Sequence, residues 1–368
     1  MHVQLFLFSF FGLKKGGLKQ LKRLTLFIIS MLAVIFLCFY RLDYYIMKPG
    51  SAYDVGEFVK VENGDVDDEG TINLTTVSMS KATPLTFLIA KFREHQDIMR
   101  MDEVHQKEED EREYNVRQMT LMKDSQFNAI LVAYKKAGLP YTVNYSGIIV
   151  LNVLSGGASD GILQPGDKIV EIDGKIIKKP EDLAHALETK KENDAVQLVV
   201  QRDEKLLDCS VTLKEIPDSD GKVGLGITYS ENVSIRTEPI VKINSEDIGG
   251  PSAGLMFTLE ILNQLLDEDI TKGYRVAGTG VINEDGTIGR IGGIDKKVIA
   301  ADKAGMEIFF APDDEISEEA KKKNPEIASN YEEAVKTAKK INTDMKIVPV
   351  KTIDDALNYL ESLPEKEK

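Results

Sequence analysis

The longest unbroken apolar run in the chain is Leu24–Tyr40, uncharged throughout. It is at the short end of what a helix needs to cross a bilayer. An earlier apolar segment, Leu5–Leu13, is too short to span. Beyond Met47 the periodicity changes repeatedly. Tyr53–Val61 and Thr71–Met79 read as short strands joined by the acidic Glu62–Gly70 turn. Pro84–Met101 reads as helical, and Glu103–Glu113 as a charged, solvated stretch. In Gln118–Ala137 the residues Met119, Met122, Ala129, Ile130 and Ala133 fall on one helical face. His95 and His105 have no partner spacing and are expected at the surface.

From Val143 the rhythm becomes that of strands and turns. Gly147–Val153 is a strand, Ser155–Gly161 a loop, and Leu163–Lys175 a turn, a strand and a second turn. Pro180–Thr189 is a short helix, and Ala195–Arg202 with Leu207–Lys214 closes as a hairpin. Pro217–Gly221 reads as a polar linker. After it, strands at Gly224–Tyr229 and Ile240–Asn244 lead into a helix carrying Leu255, Met256, Leu259 and Leu262. Strands at Arg275–Asn283, Glu307–Pro312 and Met345–Val350 alternate with helices from Ile294, at Asn330–Ile341 and at Ile353–Leu363. The fold class is therefore α/β (α+β) and multidomain.

The chemistry concentrates at two helix starts. Gly249, Gly250 and Pro251 make a tight, non-helical approach to Ser252. A serine there lies beside free backbone N–H groups and the positive end of a helix dipole, which suits an oxyanion; it is also a good N-cap. No histidine follows His185, so a base from this region has to be another residue. The helix from Ile294 to Gly305 places Ile294, Val298 and Ala301 on one apolar face, and Lys297 falls on that face. Lys296 and Lys303 are expected to point to water. A lysine on a buried stripe is costly unless paired or neutral, and desolvation lowers its pKa as a general base requires.

Gly250-Pro251-Ser252-Ala253-Gly254, then Thr279-Gly280, then Gly292-Gly293-Ile294 with Lys297, Ala300 and Ala301, resembles the proteolytic domain of the Lon family. The resemblance covers about Gly221 to Leu363. It implies a Ser-Lys dyad without histidine, with Ser252 as nucleophile, Lys297 as base and Thr279 bonded to the lysine. The family often carries an acidic residue where Gly249 stands and a glutamate where Val281 stands, a departure that bears on the tuning of the lysine. Leu163, Pro165, Gly166, Asp167, Ile169, Ile172 and Gly174 carry a pattern that resembles PDZ domains of bacterial proteases, small β-barrel-like modules. That resemblance implies peptide addition beside a strand, with a carboxylate held by the loop Tyr145, Ser146, Gly147 and Ile148. His185 would line the groove. Taken whole, the chain resembles the membrane-anchored, PDZ-containing Lon-type proteases of Gram-positive bacteria.

Composition narrows the partners. A net charge of −14 argues against general nucleic-acid binding. Cys38 and Cys209 are too few for a disulfide framework, and neither a zinc spacing nor a phosphate-binding Gly-x-x-x-x-Gly-Lys-Ser/Thr loop is present. No cofactor or metal is expected. Lys14, Lys15, Lys19, Lys22 and Arg23 precede the apolar run, and only Arg41 and Lys48 follow it closely. The positive-inside rule places the N-terminus in the cytoplasm and the rest outside. The alternative is a cleaved signal peptide, against which stands the lack of a small-x-small site after the run. The expected organisation is a cytoplasmic segment 1–23, a transmembrane helix 24–41, an extracytoplasmic region 47–142, a PDZ domain 143–216 and a Lon-type domain 221–364. The expected activity is ATP-independent endopeptidase cleavage of peptides or unfolded protein segments, and Lon-type domains commonly form rings, so a homo-oligomer is a further expectation. The alternatives are an inert PDZ scaffold or a Lon-like domain used for assembly alone.

Overall fold

The computed structural model describes residues 15–65, 69–106, 109–216, 219, 221–245, 248–266 and 268–366. The Leu5–Leu13 segment and most of the expected cytoplasmic tail lie outside the described residues, as do parts of the Glu62–Gly70 turn and the Pro217–Gly221 linker. The first half contributes α1 (Lys15–Phe39), β1 (Tyr44–Asp54), β2 (Val59–Val61), β3 (Thr71–Lys81), α2 (Pro84–Ala90), β4 (Asp97–Arg100) and α3 (Glu111–Ala137). Two compact units result. One comprises 1–48 and 78–104, the other 49–77 and 105–368, with β1 and β3 running through both.

In the smaller unit, α1 carries an apolar stretch, Gln20–Phe39, of mean hydropathy 2.1. Its length and composition suffice to cross a membrane, a test that a signal sequence also passes. The first residues of β1 pair antiparallel with β4, and Ile46, Ala82 and Ala90 form a small core with Leu42, Phe87 and Ile98 around it. Pro84–Met101 is thus not one helix. Thr83 caps α2 at its start, and the chain turns after Ala90 so that Asp97–Arg100 can pair with β1.

The larger unit holds two further groups of elements, packed around three hydrophobic clusters. The first is a PDZ-like sheet made of β5 (Tyr141–Val153), β6 (Lys168–Ile172), β7 (Ala195–Arg202), β8 (Lys205–Thr212) and β9 (Ile227–Thr237), with helix α4 (Pro180–Leu187). The strand order is β9-β5-β6-β7-β8, with the two-residue strand Lys175–Ile176 beside β6. Ile148, Val150, Ile169, Ile172, Leu198 and Val200 are buried together; alternation gives this on β5 and β7, and on β6 the register shift between Ile169 and Glu171 brings Ile172 into the same core. The sheet extends past the expected boundary at 216: β9 pairs along β5, and Leu225 is part of the same core.

The second comprises β10 (Val241–Ile243), α5 (Gly254–Leu265), β11 (Arg275–Gly278), β12 (Val281–Ile282), β13 (Ile288–Gly289), α6 (Ile294–Lys303), β14 (Ile308–Pro312), α7 (Asn330–Ile341), β15 (Lys346–Val350) and α8 (Ile353–Ser362). The parallel strands run β15-β14-β11-β3. The helix α5 is buried on nearly all sides: Leu255, Met256, Phe257, Leu259 and Ile261 are each at 0% exposure. Val55, Leu74, Met122, Ala129 and Tyr134 join the core of α5, so residues 47–142 are not a module of their own. The helix α3 starts at Glu111, earlier than its apolar pattern alone indicates, because Asp110 and Glu113 form a capping box. His105 is buried, not at the surface: its ring stacks on Tyr114 with centroids 4.7 Å apart, and Nδ1 lies 3.1 Å from the Glu109 carbonyl.

Candidate active site

The chain enters α5 through a loop that only small residues can form. Gly250 has φ +86, and its N–H donates to the Gln118 carbonyl at 2.9 Å. A Cβ on Gly254 would lie 2.5 Å from Ile282 Cγ2 and 2.8 Å from Ser125 Oγ. Ser125 Oγ in turn donates to the Pro251 carbonyl at 3.0 Å. The half-buried Ser252 lies in this turn, two residues before α5, and Ala253 stands at the N-cap position. Ser252 is therefore not the N-cap. Its carbonyl is gripped twice, by the Gly280 N–H at 2.9 Å and by Thr279 Oγ1 at 2.9 Å. Among the described residues, the N–H groups of Ser252, Ala253 and Gly254 donate no other bond outside regular elements.

Across from this loop lies α6. Gly293, with φ +67, sits at its N-cap position, and Gly305, with φ +72, follows its end. Ile294, Val298 and Ala301 pack with Ala277, Phe309 and Ala311, and this places Lys297 at the same buried level, 3% exposed. Lys297 Nζ lies 2.7 Å from Ser252 Oγ and 2.9 Å from Thr279 Oγ1. The three expected residues, contributed by a turn, a strand end and a helix, thus form one hydrogen-bonded group. Burial holds the Lys297 amine down from 10.5 to about 7, so the neutral form is accessible near neutral pH.

Lys296 does not point to water. It is 2% exposed and its Nζ contacts Asp295 Oδ2 at 2.6 Å. The reason is that α6 is enclosed on more than one side: Ile299 and Ala300 are buried as well, and Asp295, Asp302 and Lys303 are the more open positions. Lys303 is exposed as expected.

The peptide-carboxylate loop expected at Tyr145, Ser146, Gly147 and Ile148 is not a loop. All four lie inside β5. Tyr145 faces Val233 and Ile148 faces Glu231 on β9, while Ile148 also faces Ile169 on β6. Of the four, only Ile148 has a strand partner on both sides. The expected domain ended before β9, the strand that pairs along Tyr141–Val153. The half-buried alternation of Ile227–Thr237 is the signal that could have found this strand. His185 is exposed beside Glu188.

Residues 245–361, which include Ser252, Thr279 and Lys297, match the Lon protease (S16) C-terminal proteolytic domain. Residues 134–213 match the PDZ domain family. The chain carries a Lon-type proteolytic domain and a PDZ domain. It is 34% identical over 109 residues to the Lon protease of Campylobacter concisus, covering 29% of this chain and 11% of that protein. It is 30% identical over 124 residues to the archaeal Lon protease of Thermoplasma acidophilum, covering 33% of this chain and 16% of that one. The chain thus spans only a small part of the relatives it matches. The PDZ domain of an SdrC-like protein from Listeria monocytogenes is 31% identical, covering 24% of this chain and 92% of that chain at a TM-score of 0.23.

Proposed function

We propose that the chain is an ATP-independent serine endopeptidase with Ser252 as nucleophile, Lys297 as general base and Thr279 as the group that aligns the lysine. The observation that carries this reading is the 2.7 Å approach of a buried amine to Ser252 Oγ. An ordinary lysine would be neutral in only ~1 molecule in 3,000 at pH 7. Neutral Lys297 accepts the Ser252 proton as Oγ bonds to the scissile carbonyl carbon. The N–H groups of the turn before α5 receive the developing oxyanion. The tetrahedral intermediate collapses, the C–N bond breaks, and Lys297 gives its proton to the leaving amine. Water, deprotonated by the same lysine, then releases the acyl group and restores Ser252.

The hydrogen-bond sense is consistent with this cycle. Thr279 Oγ1 gives its proton to the Ser252 carbonyl at 2.9 Å and is left free to accept from Lys297. The amine lone pair is then directed at Ser252. A peptide is taken to add beside β9, which has β5 on one side and no strand on the other among the described residues. The apolar stretch of α1 and the cations before it support a single membrane anchor with the N-terminus inside and the protease outside. Without a phosphate-binding loop the chain supplies no unfolding motor, so peptides and unfolded segments are the substrates.

A fluorophosphonate probe and turnover of an unfolded protein without ATP test the reading. Wild type is expected to label and to cleave, and Ser252→Ala to do neither. Labelling that survives Ser252→Ala would reassign the nucleophile. A chain that neither labels nor cleaves would be an inert scaffold.

A further inference from the structure

We propose that α2 is a bilayer-interface helix, seated in the headgroup layer beside the point where α1 leaves the membrane. The proposal rests on reading α1 as a membrane anchor. Its carrying observation is an apolar face that the small unit leaves open. Leu85, Leu88, Ile89 and Phe92 are spaced i, i+3, i+4, i+7, and their exposures are 38%, 57%, 43% and 83%. That spacing gathers them within an arc of ~100° on a helix. The Phe92 N–H still bonds the Ile89 carbonyl at 3.0 Å, so the turn continues the helical surface to the phenyl ring. The opposite side of α2 is already used: Ala90 is buried, and Phe87 packs on the core with its ring edge against Tyr44, centroids 5.0 Å apart. Thus α2 has a core-facing side and a second apolar side with no protein upon it in this unit.

The occupant follows from where that side is held. Leu42, just past the end of α1, donates its N–H to the Ala82 carbonyl at 2.8 Å, and Arg41 Nη1 donates to the Lys81 carbonyl at 3.1 Å. These bonds pin the start of α2 to the residues at which the apolar α1 stops. Phe39 and Tyr40 are 74% and 54% exposed at that same level, where aromatic side chains anchor spans at the water boundary. Arg41, Lys91 and Arg93 are exposed in the residues flanking α2, with the Lys91 amine over the Phe87 ring, 5.0 Å from its centroid, and their charge and reach suit phosphate headgroups. An apolar stripe flanked by cations and tied to the mouth of a span has the chemistry of a helix lying in the interface.

The chain contains no tryptophan, so one placed at a time reports its own surroundings. Full-length Phe92→Trp and, separately, Phe36→Trp on α1 would be reconstituted into phosphatidylcholine vesicles with plain or acyl-brominated lipid. The expected result is a blue-shifted Phe92→Trp emission that loses most of its intensity on bromination and resists aqueous iodide. If Phe36→Trp is quenched by brominated lipid while Phe92→Trp is quenched only by iodide, the anchor stands and the interface helix falls. A blue-shifted Phe92→Trp that neither quencher reaches would mean that protein, such as a second copy, covers the face, and would overturn the proposal. If brominated lipid reaches neither tryptophan, the anchor reading fails and takes this one with it.

Discussion

Replacing Lys297 with methionine should abolish turnover and, at neutral pH, make the protein more stable. Methionine keeps the length of the stem and removes the amine. Holding that amine at about 7 instead of 10.5 corresponds to a penalty of about 5 kcal/mol on its charged form, at ~1.4 kcal/mol per pH unit. The sign follows from which state holds the proton. The native amine releases it near 7 and the unfolded one near 10.5, so between these values the unfolded state binds more protons. The penalty is full below pH 7, shrinks as pH rises through 7, and is nearly gone by about 10.5. Against it stand the two bonds to Ser252 Oγ and Thr279 Oγ1, worth ~1 kcal/mol each. The Thr279 hydroxyl keeps its bond to the Ser252 carbonyl in the variant, so the loss leaves little unsatisfied. The net gain for Lys297→Met at pH 7 is ~3 kcal/mol, a rise of ~5–10 °C in melting temperature. The balance reverses at ~pH 9, and by pH 10 the variant should be the less stable protein. Scanning calorimetry of the full chain in detergent at pH 7, 8, 9 and 10 reads this directly. A difference that keeps one sign and size across that series would show that the amine is not desolvated, and the case for Lys297 as base would go with it.

Lys297→Arg should be as inactive as Lys297→Ala, since guanidinium stays protonated at every accessible pH; turnover of an unfolded substrate within tenfold of wild type would contradict this. Lys296→Ala should keep its turnover number but lose ~1 kcal/mol of stability, because it removes a buried side chain whose amine pairs with the half-exposed Asp295; urea unfolding checks the stability and peptide turnover the activity. Glu260, 6% exposed on α5, is pushed up to about 7 by burial, with the Gln264 amide donating to its Oε1 at 2.7 Å. Its raised value means that the native state keeps a proton the unfolded state has lost above ~4.5, so stability falls as pH rises from there to about 7. Glu260→Gln should remove that fall, leaving the variant ~3 kcal/mol more stable at pH 8 and equal to wild type at pH 5; equal melting curves at pH 8 would count against it.

How much of this was legible in the sequence differs by residue for physical reasons. Lys297 was found by arithmetic along one helix, since i+3 and i+4 spacing from Ile294 and to Ala301 is local geometry. The same arithmetic misplaced Lys296 because it assumes one buried face, whereas α6 is covered on several. Periodicity says which residues share a side and not how many sides are covered. The burial of His105 was invisible for a similar reason: its stack on Tyr114 and the Arg117–Glu109 pair beside it, with Nε to Oε1 at 2.6 Å, exist only once the turn before α3 has closed. The strand β9 falls beyond the expected PDZ boundary because it follows the PDZ pattern after a polar linker. Only the full pairing with β5, from Val153 against Ile227 to Tyr141 against Thr237, reveals it as the end of the sheet.

The helix to which the sequence assigned no task is the one that joins these parts. Along α3, Ser125 donates to the Pro251 carbonyl, Asn128 Nδ2 to the Ile282 carbonyl at 3.0 Å, and Gln126 Nε2 to Ser245 Oγ at 2.8 Å. About two turns before Ser125 the Gln118 carbonyl takes the Gly250 N–H. The same helix reaches the PDZ sheet, where Asp124 Oδ2 lies 3.5 Å from Ser230 Oγ on β9 and Glu113 Oε1 lies 3.4 Å from the Val153 N–H on β5. The loop that carries Ser252 is therefore set from one side by Thr279 and Gly280 and from the other by α3. Ser125→Ala deletes a single bond to the carbonyl directly before Ser252 and leaves the Lys297 contacts in place. It should cost ~1 kcal/mol of stability. If the bond only holds the fold, kcat is untouched. If it orients the nucleophile, kcat falls several-fold with KM unchanged, because the turn then samples positions from which Oγ cannot meet both the lysine and the carbonyl carbon. Ser125→Thr, which restores the hydroxyl, should recover most of that loss. Unchanged kcat in Ser125→Ala would reduce α3 to scaffolding and leave Thr279 and Gly280 to position Ser252 alone.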